Sequence, residues 1–236
     1  MTAPHASLVS REGRWRRAAA LWAIVLAGVL VLLGAAVARR SLALSDDLLL
    51  TAAQELRAPA MDSVMSAFSF LGSSEISFLL LLGVVLLWRP GRVPWWQRLL
   101  PVAVLVVLVL VELALKATLA QPGPEPYRRR GLEVGLGLAT AYAFPSGHAL
   151  RAMFVLGLIG LRLVAWRRSV VALFACVLVA WVVGFSRVYL GDHWPSDVAG
   201  GILLAGVGLG LALAYAPRAV LGGDPAASGE AARGAG

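Results

Sequence analysis

The chain has 236 residues, of which 59% are hydrophobic and 14% charged, and its formal net charge at pH 7 is +8. This composition is too apolar for a soluble domain of the same size and predicts a membrane protein. The apolar stretches are continuous runs of Leu, Val and Ala, which excludes the short alternating segments of a transmembrane β-barrel.

Six apolar segments are long enough to cross a hydrocarbon core of about 30 Å. They lie at approximately residues 18–38, 68–88, 99–120, 149–166, 170–186 and 198–216. The sequence therefore predicts an all-α, polytopic bundle of about six transmembrane helices, forming one domain over residues 18–216. A basic tail at 1–17 precedes this domain, and a Gly/Ala-rich tail at 217–236 that we expect to be disordered follows it.

The first apolar segment also has features of a signal peptide, because arginines precede it and Ala36-Val37-Ala38 resembles a cleavage site. Its length favours a retained helix, and cleavage would leave the orientation of the remaining helices unchanged. Residues 41–67 mix acidic side chains with leucines and predict a helix lying at the membrane interface.

Twenty arginines and one lysine make up the basic residues. Their position at helix ends argues against a nucleic acid as partner and follows the positive-inside rule. Both termini are then cytoplasmic, and the loops at 121–144 and 187–197 face the exterior or periplasm. The abundance of Ala, Arg, Gly and Trp is typical of GC-rich bacteria, so we expect the bacterial inner membrane. The predicted cytoplasmic side carries Arg11, Arg14, Arg16, Arg17, Arg89, Arg92, Arg98, Arg162, Arg167 and Arg168, against Arg39, Arg40, Arg57 and Arg128 to Arg130 outside.

Two short polar cassettes contain the only histidines outside the N-terminal tail, and both cassettes lie between apolar runs. Ionisable groups at the edge of hydrocarbon are costly, so their presence there indicates a function. In the first, at 144–148, Pro145 favours a helix start and places Ser146, Gly147 and His148 at a helix N-terminus. Free backbone N–H groups there bind anions, and the glycine permits close approach. The alternative is an ordinary helix cap beside an interfacial histidine.

The second cassette covers residues 186–197. The last helix begins just after His193, so Asp197 lies about one turn beyond it, within reach of the imidazole. A carboxylate that accepts from one ring nitrogen fixes the tautomer and directs the other nitrogen's lone pair outward, as a nucleophile requires. Arg187 ends the preceding helix, and a guanidinium can bind two phosphate oxygens. The alternative is a solvated loop with an incidental ion pair, to which Asp192 belongs as a turn residue.

Lys116, the only lysine, lies at the outer end of the third span. An isolated lysine there can simply extend to the interface, but beside the two cassettes it is better explained as a phosphate contact. The single cysteine, Cys176, lies in an apolar helix and is expected to be a core residue.

Together these residues resemble the type 2 phosphatidic acid phosphatase, or lipid phosphate phosphatase, superfamily. Its motifs are Lys, six residues, Arg-Pro; then Pro-Ser-Gly-His; then Ser-Arg, five residues, His, three residues, Asp. The second and third motifs match in full, and the likeness extends from about residue 40 to 216. The first motif departs from the pattern, because Lys116 is followed at the expected distance by Gly123-Pro124, with glycine in place of arginine.

The resemblance implies a helical membrane phosphatase that acts on a lipid phosphate and needs no metal or other cofactor. It implies that His193 attacks the phosphorus, that Asp197 orients this histidine, and that His148 protonates the leaving oxygen. The phosphate oxygens are then bound by Lys116, Ser146, Gly147 and Arg187.

Arg151, one turn after His148, is the first candidate for the missing guanidinium, and Arg128 to Arg130 are the second. Candidate substrates are a polyprenyl phosphate or diphosphate, phosphatidic acid, phosphatidylglycerol phosphate and a prenyl-linked phosphosugar. Two alternatives stay open: a non-catalytic binder of lipid phosphates, which Gly123 favours, and a phosphotransferase whose acceptor is not water. The sequence implies no oligomeric state.

Overall fold

The protein is described by a computed structural model that covers residues 3–87, 94–130, 142–167 and 169–216. Within these ranges the chain is all-α, and its only β-type pairing is an isolated bridge between Pro122 and Tyr142. The predicted disordered tail at 217–236 lies outside the described residues. So do residues 131–141 of the predicted outer loop and 88–93 of the predicted cytoplasmic loop.

Nine α-helices and one 3-10 turn form this part of the structure. In chain order the helices are α1 (Ala3–Ala38), α2 (Ala43–Glu55), α3 (Pro59–Leu71), α4 (Ser74–Leu87), α5 (Trp95–Arg98), α6 (Leu100–Leu119), α7 (Gly147–Arg167), α8 (Val170–Tyr189) and α9 (Pro195–Tyr215), and the 3-10 turn is Pro126–Arg128.

Five stretches of helix are long and apolar enough to cross a membrane: most of α1, α5 with α6, α7, α8 and α9. The bent pair α3 and α4 makes a sixth if it counts as one span. The prediction of an all-α bundle with about six spans is therefore confirmed in the described residues.

The segment predicted as one span at 68–88 needs correction, because α3 and α4 meet there at an angle of 51°. Gly72 and Ser73 interrupt the helix, and the Ser73 hydroxyl accepts a hydrogen bond from the Ile76 backbone N–H at 3.3 Å. A glycine weakens a helix, and a serine cap favours the start of a new one. Neither half alone is long enough to span.

The interfacial helix predicted over 41–67 is likewise divided, into α2 and the first part of α3. Ala58, which precedes Pro59, is extended with φ −151° and ψ 149°. A residue before proline avoids the α region, so the first helix ends before it and Pro59 begins the next.

Helix α7 lies at the centre of the apolar core. Its Leu150, Val155 and Leu158 are almost fully buried, and they belong to one cluster with Val183 of α8 and Ala205 of α9. This helix starts at the first histidine cassette, so the best-packed part of the molecule supports that cassette.

The N-terminal end of α9 is held by helix α2. Asp46 accepts hydrogen bonds from the Ser196 backbone N–H at 2.9 Å and from the Ser196 hydroxyl at 2.7 Å. Burial raises the pKa of Asp46, and these two hydrogen bonds partly oppose that shift. The contact caps α9 beside the second cassette and fixes where that cassette lies.

Gly201 allows the first cassette to lie directly against α9. A methyl group at this position would overlap the carbonyl oxygen of Ser146 and lie 3.0 Å from the backbone nitrogen of Leu150. Both neighbours are backbone atoms at the start of α7, so they cannot move aside as a flexible side chain would.

We predict that Gly201→Ala lowers the free energy of unfolding by about 3 kcal/mol, because it overpacks this contact. Gly83→Ala is the matched control, since a Cβ there meets nothing within 4 Å. Thermal unfolding of both variants in detergent tests the prediction. Equal melting temperatures for the two would contradict it.

Candidate active site

The carboxylate of Asp197 organises the second cassette. Asp197 is completely buried, and its Oδ2 lies 3.3 Å from the Nδ1 of His193. The same oxygen accepts a hydrogen bond from the Trp194 backbone N–H at 2.8 Å, one turn before it at the start of α9. In the tautomer protonated at Nδ1, His193 therefore keeps its Nε2 lone pair available, as the spacing predicted.

The environment of His193 favours the neutral imidazole. Burial, reinforced by the positive charges of Arg187, Lys116, Arg129 and Arg151, lowers the pKa of His193 well below its ordinary value. A neutral imidazole carries the lone pair that a nucleophile needs.

The first cassette begins α7 and is tied to the second. Helix α7 starts at Gly147, as predicted, although Pro145 lies before the helix and not in its first turn. The Ser146 backbone N–H donates to the carbonyl oxygen of Asp197 at 2.9 Å. The Ser146 hydroxyl is buried and has no hydrogen-bond partner among the described residues. An unpaired buried hydroxyl is costly, so this one is suited to a bound ligand.

Lys116 is buried in the last turn of α6 and lies beside the first cassette. Its ammonium donates to the carbonyl oxygens of Tyr142 at 3.0 Å and Ala143 at 3.4 Å. These two residues directly precede the cassette at 144–148. The isolated lysine of the sequence thus contacts the chain that leads into α7.

Glu112 is a residue of this cluster that the sequence analysis missed. It is 5% exposed, and its two carboxylate oxygens lie 3.7 Å from the Lys116 ammonium and 3.7 Å from the Arg151 guanidinium. Arg151 also donates to the carbonyl oxygen of Gly72, at the break between α3 and α4. The spacing of Glu112 and Lys116, four residues apart on one helix, was the signal that predicts such a pair.

Arg187, in the last turn of α8, pairs with another carboxylate, that of Asp192. Its guanidinium lies 3.1 Å from Asp192 and donates to the hydroxyl of Ser69 on α3. We predicted Asp192 as a turn residue outside the site; it lies in the turn, beside Gly191 with φ +79°, and also pairs with Arg187. Nothing in the sequence marked the contact with Ser69, which is 118 residues away.

The candidate residues come together at one end of the bundle. His148 is within electrostatic reach of His193 and of the three cations at 116, 151 and 187. Three segments far apart in the sequence thus form one cluster, in which lysine and arginine side chains supply the positive charge. Its members are Lys116, Ser146, Gly147, His148, Arg151, Arg187, His193 and Asp197.

The family model of the PAP2 superfamily matches residues 74–220, which include all of these positions. The chain belongs to the PAP2 superfamily. The resemblance inferred from the three motifs is thereby confirmed.

Two curated relatives support the assignment to the PAP2 superfamily. The chain is 31% identical over 183 residues to phosphatidylglycerophosphatase B of Bacillus subtilis (strain 168), covering 74% of this chain and 84% of the relative. It is 32% identical over 147 residues to the provisionally named undecaprenyl-diphosphatase YbjG of Escherichia coli (strain K12), covering 61% of this chain and 70% of the relative.

A solved structure has the same fold. The crystal structure of a transmembrane PAP2-type phosphatidylglycerolphosphate phosphatase from Bacillus subtilis matches with a TM-score of 0.69 and 26% sequence identity. The match covers 82% of this chain and 94% of the solved chain. With its apolar helices, this PAP2 protein is a multi-pass membrane protein.

We predict that Glu112→Gln lowers the free energy of unfolding by about 2–4 kcal/mol, because it leaves two buried cations without their carboxylate. Glu55→Gln, at an exposed position at the end of α2, is the matched control. Thermal unfolding in detergent at neutral pH measures the difference. If both variants unfold at the same temperature, the ion pairs contribute no net stability.

Proposed function

We propose that this PAP2 protein is an integral membrane lipid phosphate phosphatase. In this proposal it hydrolyses a phosphomonoester or diphosphate at the outer membrane face through a phosphohistidine intermediate. The observation that carries the proposal is the 3.3 Å contact between His193 and the fully buried Asp197, beside a cluster of cations.

The first step is in-line attack by His193 Nε2 on the phosphorus. Asp197 holds the Nδ1–H, so the lone pair on Nε2 stays directed at the substrate and the positive charge that develops on the ring is stabilised. A bond forms between nitrogen and phosphorus while the bond from phosphorus to the lipid oxygen breaks.

Positive groups bind the phosphate oxygens while charge builds on them. We assign this role to Lys116, Arg187 and Arg151, to the Ser146 hydroxyl, and to the N–H groups at the start of α7 near Gly147. Preorganised donors and cations of this kind supply most of the catalysis in phosphoryl transfer. The unpaired Ser146 hydroxyl and the location of the helix start support the assignment.

His148 completes the cycle as acid and then as base. It gives a proton to the leaving lipid or phosphate oxygen, and the negative charge of the bound substrate favours its protonated form. Neutral His148 then takes a proton from water, which attacks the phosphohistidine and releases inorganic phosphate. His193 is returned to its neutral form, and no metal takes part in either step.

A lipid is the expected substrate because the site lies at helix ends in a multi-pass membrane protein. A phosphate head group can reach this position from the interface while its acyl or prenyl tail stays in the bilayer. The relatives' names are phosphatidylglycerophosphatase B and, provisionally, undecaprenyl-diphosphatase YbjG. These names support a lipid phosphate or diphosphate in general, without choosing between glycerolipids and polyprenyl lipids.

We predict that His193→Ala abolishes phosphate release and any acid-labile phosphoenzyme, whereas His148→Ala slows release of the leaving group more than it weakens substrate binding. The assay is phosphate release by purified protein from phosphatidylglycerol phosphate, phosphatidic acid and undecaprenyl diphosphate, with magnesium and with EDTA.

Activity of His193→Ala at the wild-type rate would refute the mechanism. No release from any substrate by folded wild-type protein would instead support a non-catalytic binder. Product that forms only when an alcohol acceptor is added would identify a phosphotransferase.

We further propose that the active site faces the exterior or periplasm and that both termini are cytoplasmic, on the basis of the arginine distribution. In a Cys176→Ala background, Tyr127→Cys should react with an impermeant maleimide in intact cells. Pro94→Cys should react only after permeabilisation, because it lies in the predicted cytoplasmic loop. Both positions are exposed, so reactivity of each can be compared in lysed cells. The reverse pattern would show the opposite orientation.

A further inference from the structure

The side chain of Arg129 occupies the space beside position 123, where this chain has glycine in place of the arginine of the first motif. A Cβ at position 123 would lie 3.4 Å from Nη2 of Arg129 and 3.7 Å from the carbonyl oxygen of Asp192. Asp192 immediately precedes His193. The Arg129 guanidinium therefore lies close to where a side chain at 123 would begin, next to the turn that carries the proposed nucleophile.

Backbone contacts on both sides hold Arg129 at this place. The Arg130 N–H donates to the carbonyl oxygen of Leu190 at 2.9 Å, in the turn after α8. The Arg128 carbonyl accepts from the side chain of Gln54 on α2 at 3.2 Å. The segment is thus docked between α2 and the second cassette, and Arg129 lies in the middle of it.

Neighbouring Arg128 is committed to a different partner. Its guanidinium pairs with Asp47 at 2.8 Å and donates to the hydroxyl of Thr51, both on α2. By contrast, no hydrogen bond or ion pair to another described residue engages the guanidinium of Arg129, which is exposed. Of these two arginines, Arg129 is the one available to bind an anion.

The charge of Arg129 reaches the reacting group. It is among the positive charges that lower the pKa of His193, where it acts more strongly than Arg151. A guanidinium this close to the nucleophile is also close to the phosphate that the nucleophile attacks.

Arg151, the first candidate from the sequence, already has two partners. It pairs with Glu112 at 3.7 Å and donates to the carbonyl oxygen of Gly72 at 3.2 Å. Much of its positive charge is thereby balanced before any substrate binds. Arg129 carries no such balancing carboxylate among the described residues.

We propose that Arg129 replaces the arginine that the first motif lacks at position 123 and binds an oxygen of the substrate's phosphate. The proposal deepens the proposed function and rests on it for the identity of the ligand. In this proposal the guanidinium of Arg129 takes the place of the one that an arginine at position 123 would supply, although Arg129 comes six positions later in the chain.

The first experiment measures binding of inorganic phosphate and orthovanadate, which needs no turnover. Each anion is titrated into purified protein in detergent, and the rise in melting temperature gives the apparent affinity. Arg129→Ala should bind about tenfold more weakly, as expected for the loss of one charge-assisted hydrogen bond at an exposed position. Arg39→Ala, which removes another exposed arginine from the same predicted membrane side, should bind as the wild type does.

The second experiment is a rescue. Gly123→Arg should restore most of the affinity in an Arg129→Ala background, because the guanidinium that occupied the adjoining space is gone. It should not restore Arg151→Ala, whose loss disturbs Glu112 instead. In an active enzyme, kcat/KM should follow the same pattern, falling by about 10- to 100-fold in Arg129→Ala.

Wild-type affinity for phosphate and orthovanadate in folded Arg129→Ala would overturn the proposal. It would also be overturned if Gly123→Arg rescued Arg151→Ala and failed to rescue Arg129→Ala. The proposed function fails separately: wild-type protein would then bind phosphate but release none from the lipid substrates. In that case the effect of Arg129→Ala on anion binding still decides the present proposal.

Discussion

The buried carboxylate of Asp197 is the interaction on which the rest of the site depends. One of its oxygens lies beside the imidazole of His193 and also accepts the backbone N–H of Trp194, while its backbone carbonyl accepts the N–H of Ser146. A single residue thus orients the proposed nucleophile, caps α9 and joins the two histidine cassettes. The two contacts at Oδ2 are the carboxylate's hydrogen-bond partners among the described residues, whereas its buried Oδ1 has none there. Loss of either contact would leave the carboxylate still less compensated in the protein interior.

Three cations of the site, at positions 116, 151 and 187, already have carboxylate partners. Glu112 lies between Lys116 and Arg151, and Asp192 pairs with Arg187. Positive groups clustered at the edge of hydrocarbon repel one another, and these carboxylates reduce that repulsion when no anion is bound. A phosphate entering the site competes with them, so its binding energy is the difference between two sets of ion pairs.

Most of the fold and the core of the site could be predicted from the sequence. Apolar runs revealed the spans, and the four-residue spacing of His193 and Asp197 across the start of a helix revealed their pairing, because both signals depend on local geometry. The division of one predicted span at Gly72 was missed, since a single glycine in an apolar run does not by itself end a helix.

Other features depend on contacts between distant segments, which no local pattern carries. Ser69 contacts Arg187 and Asp46 contacts Ser196 only because α2 and α3 fold over the C-terminal end of α8 and the N-terminal end of α9. For the same reason, the sequence left two candidate sources for the missing guanidinium, and we expected Arg151 before Arg128 to Arg130. Spacing along one helix identifies its neighbours on that helix, but it cannot show that Arg129 lies beside position 123.

The contact between Asp46 and Ser196 joins residues 150 positions apart. A polytopic chain enters its membrane from the N-terminus during synthesis, so α2 is in place well before α9 has been made. The proposed nucleophile His193 and its orienting carboxylate Asp197 are made only with the start of the last helix, which Asp46 of α2 then caps. A ribosome-bound or truncated chain that ends before His193 therefore has the cations of the site but lacks the proposed nucleophile. Competence for chemistry is acquired in one late step of biogenesis.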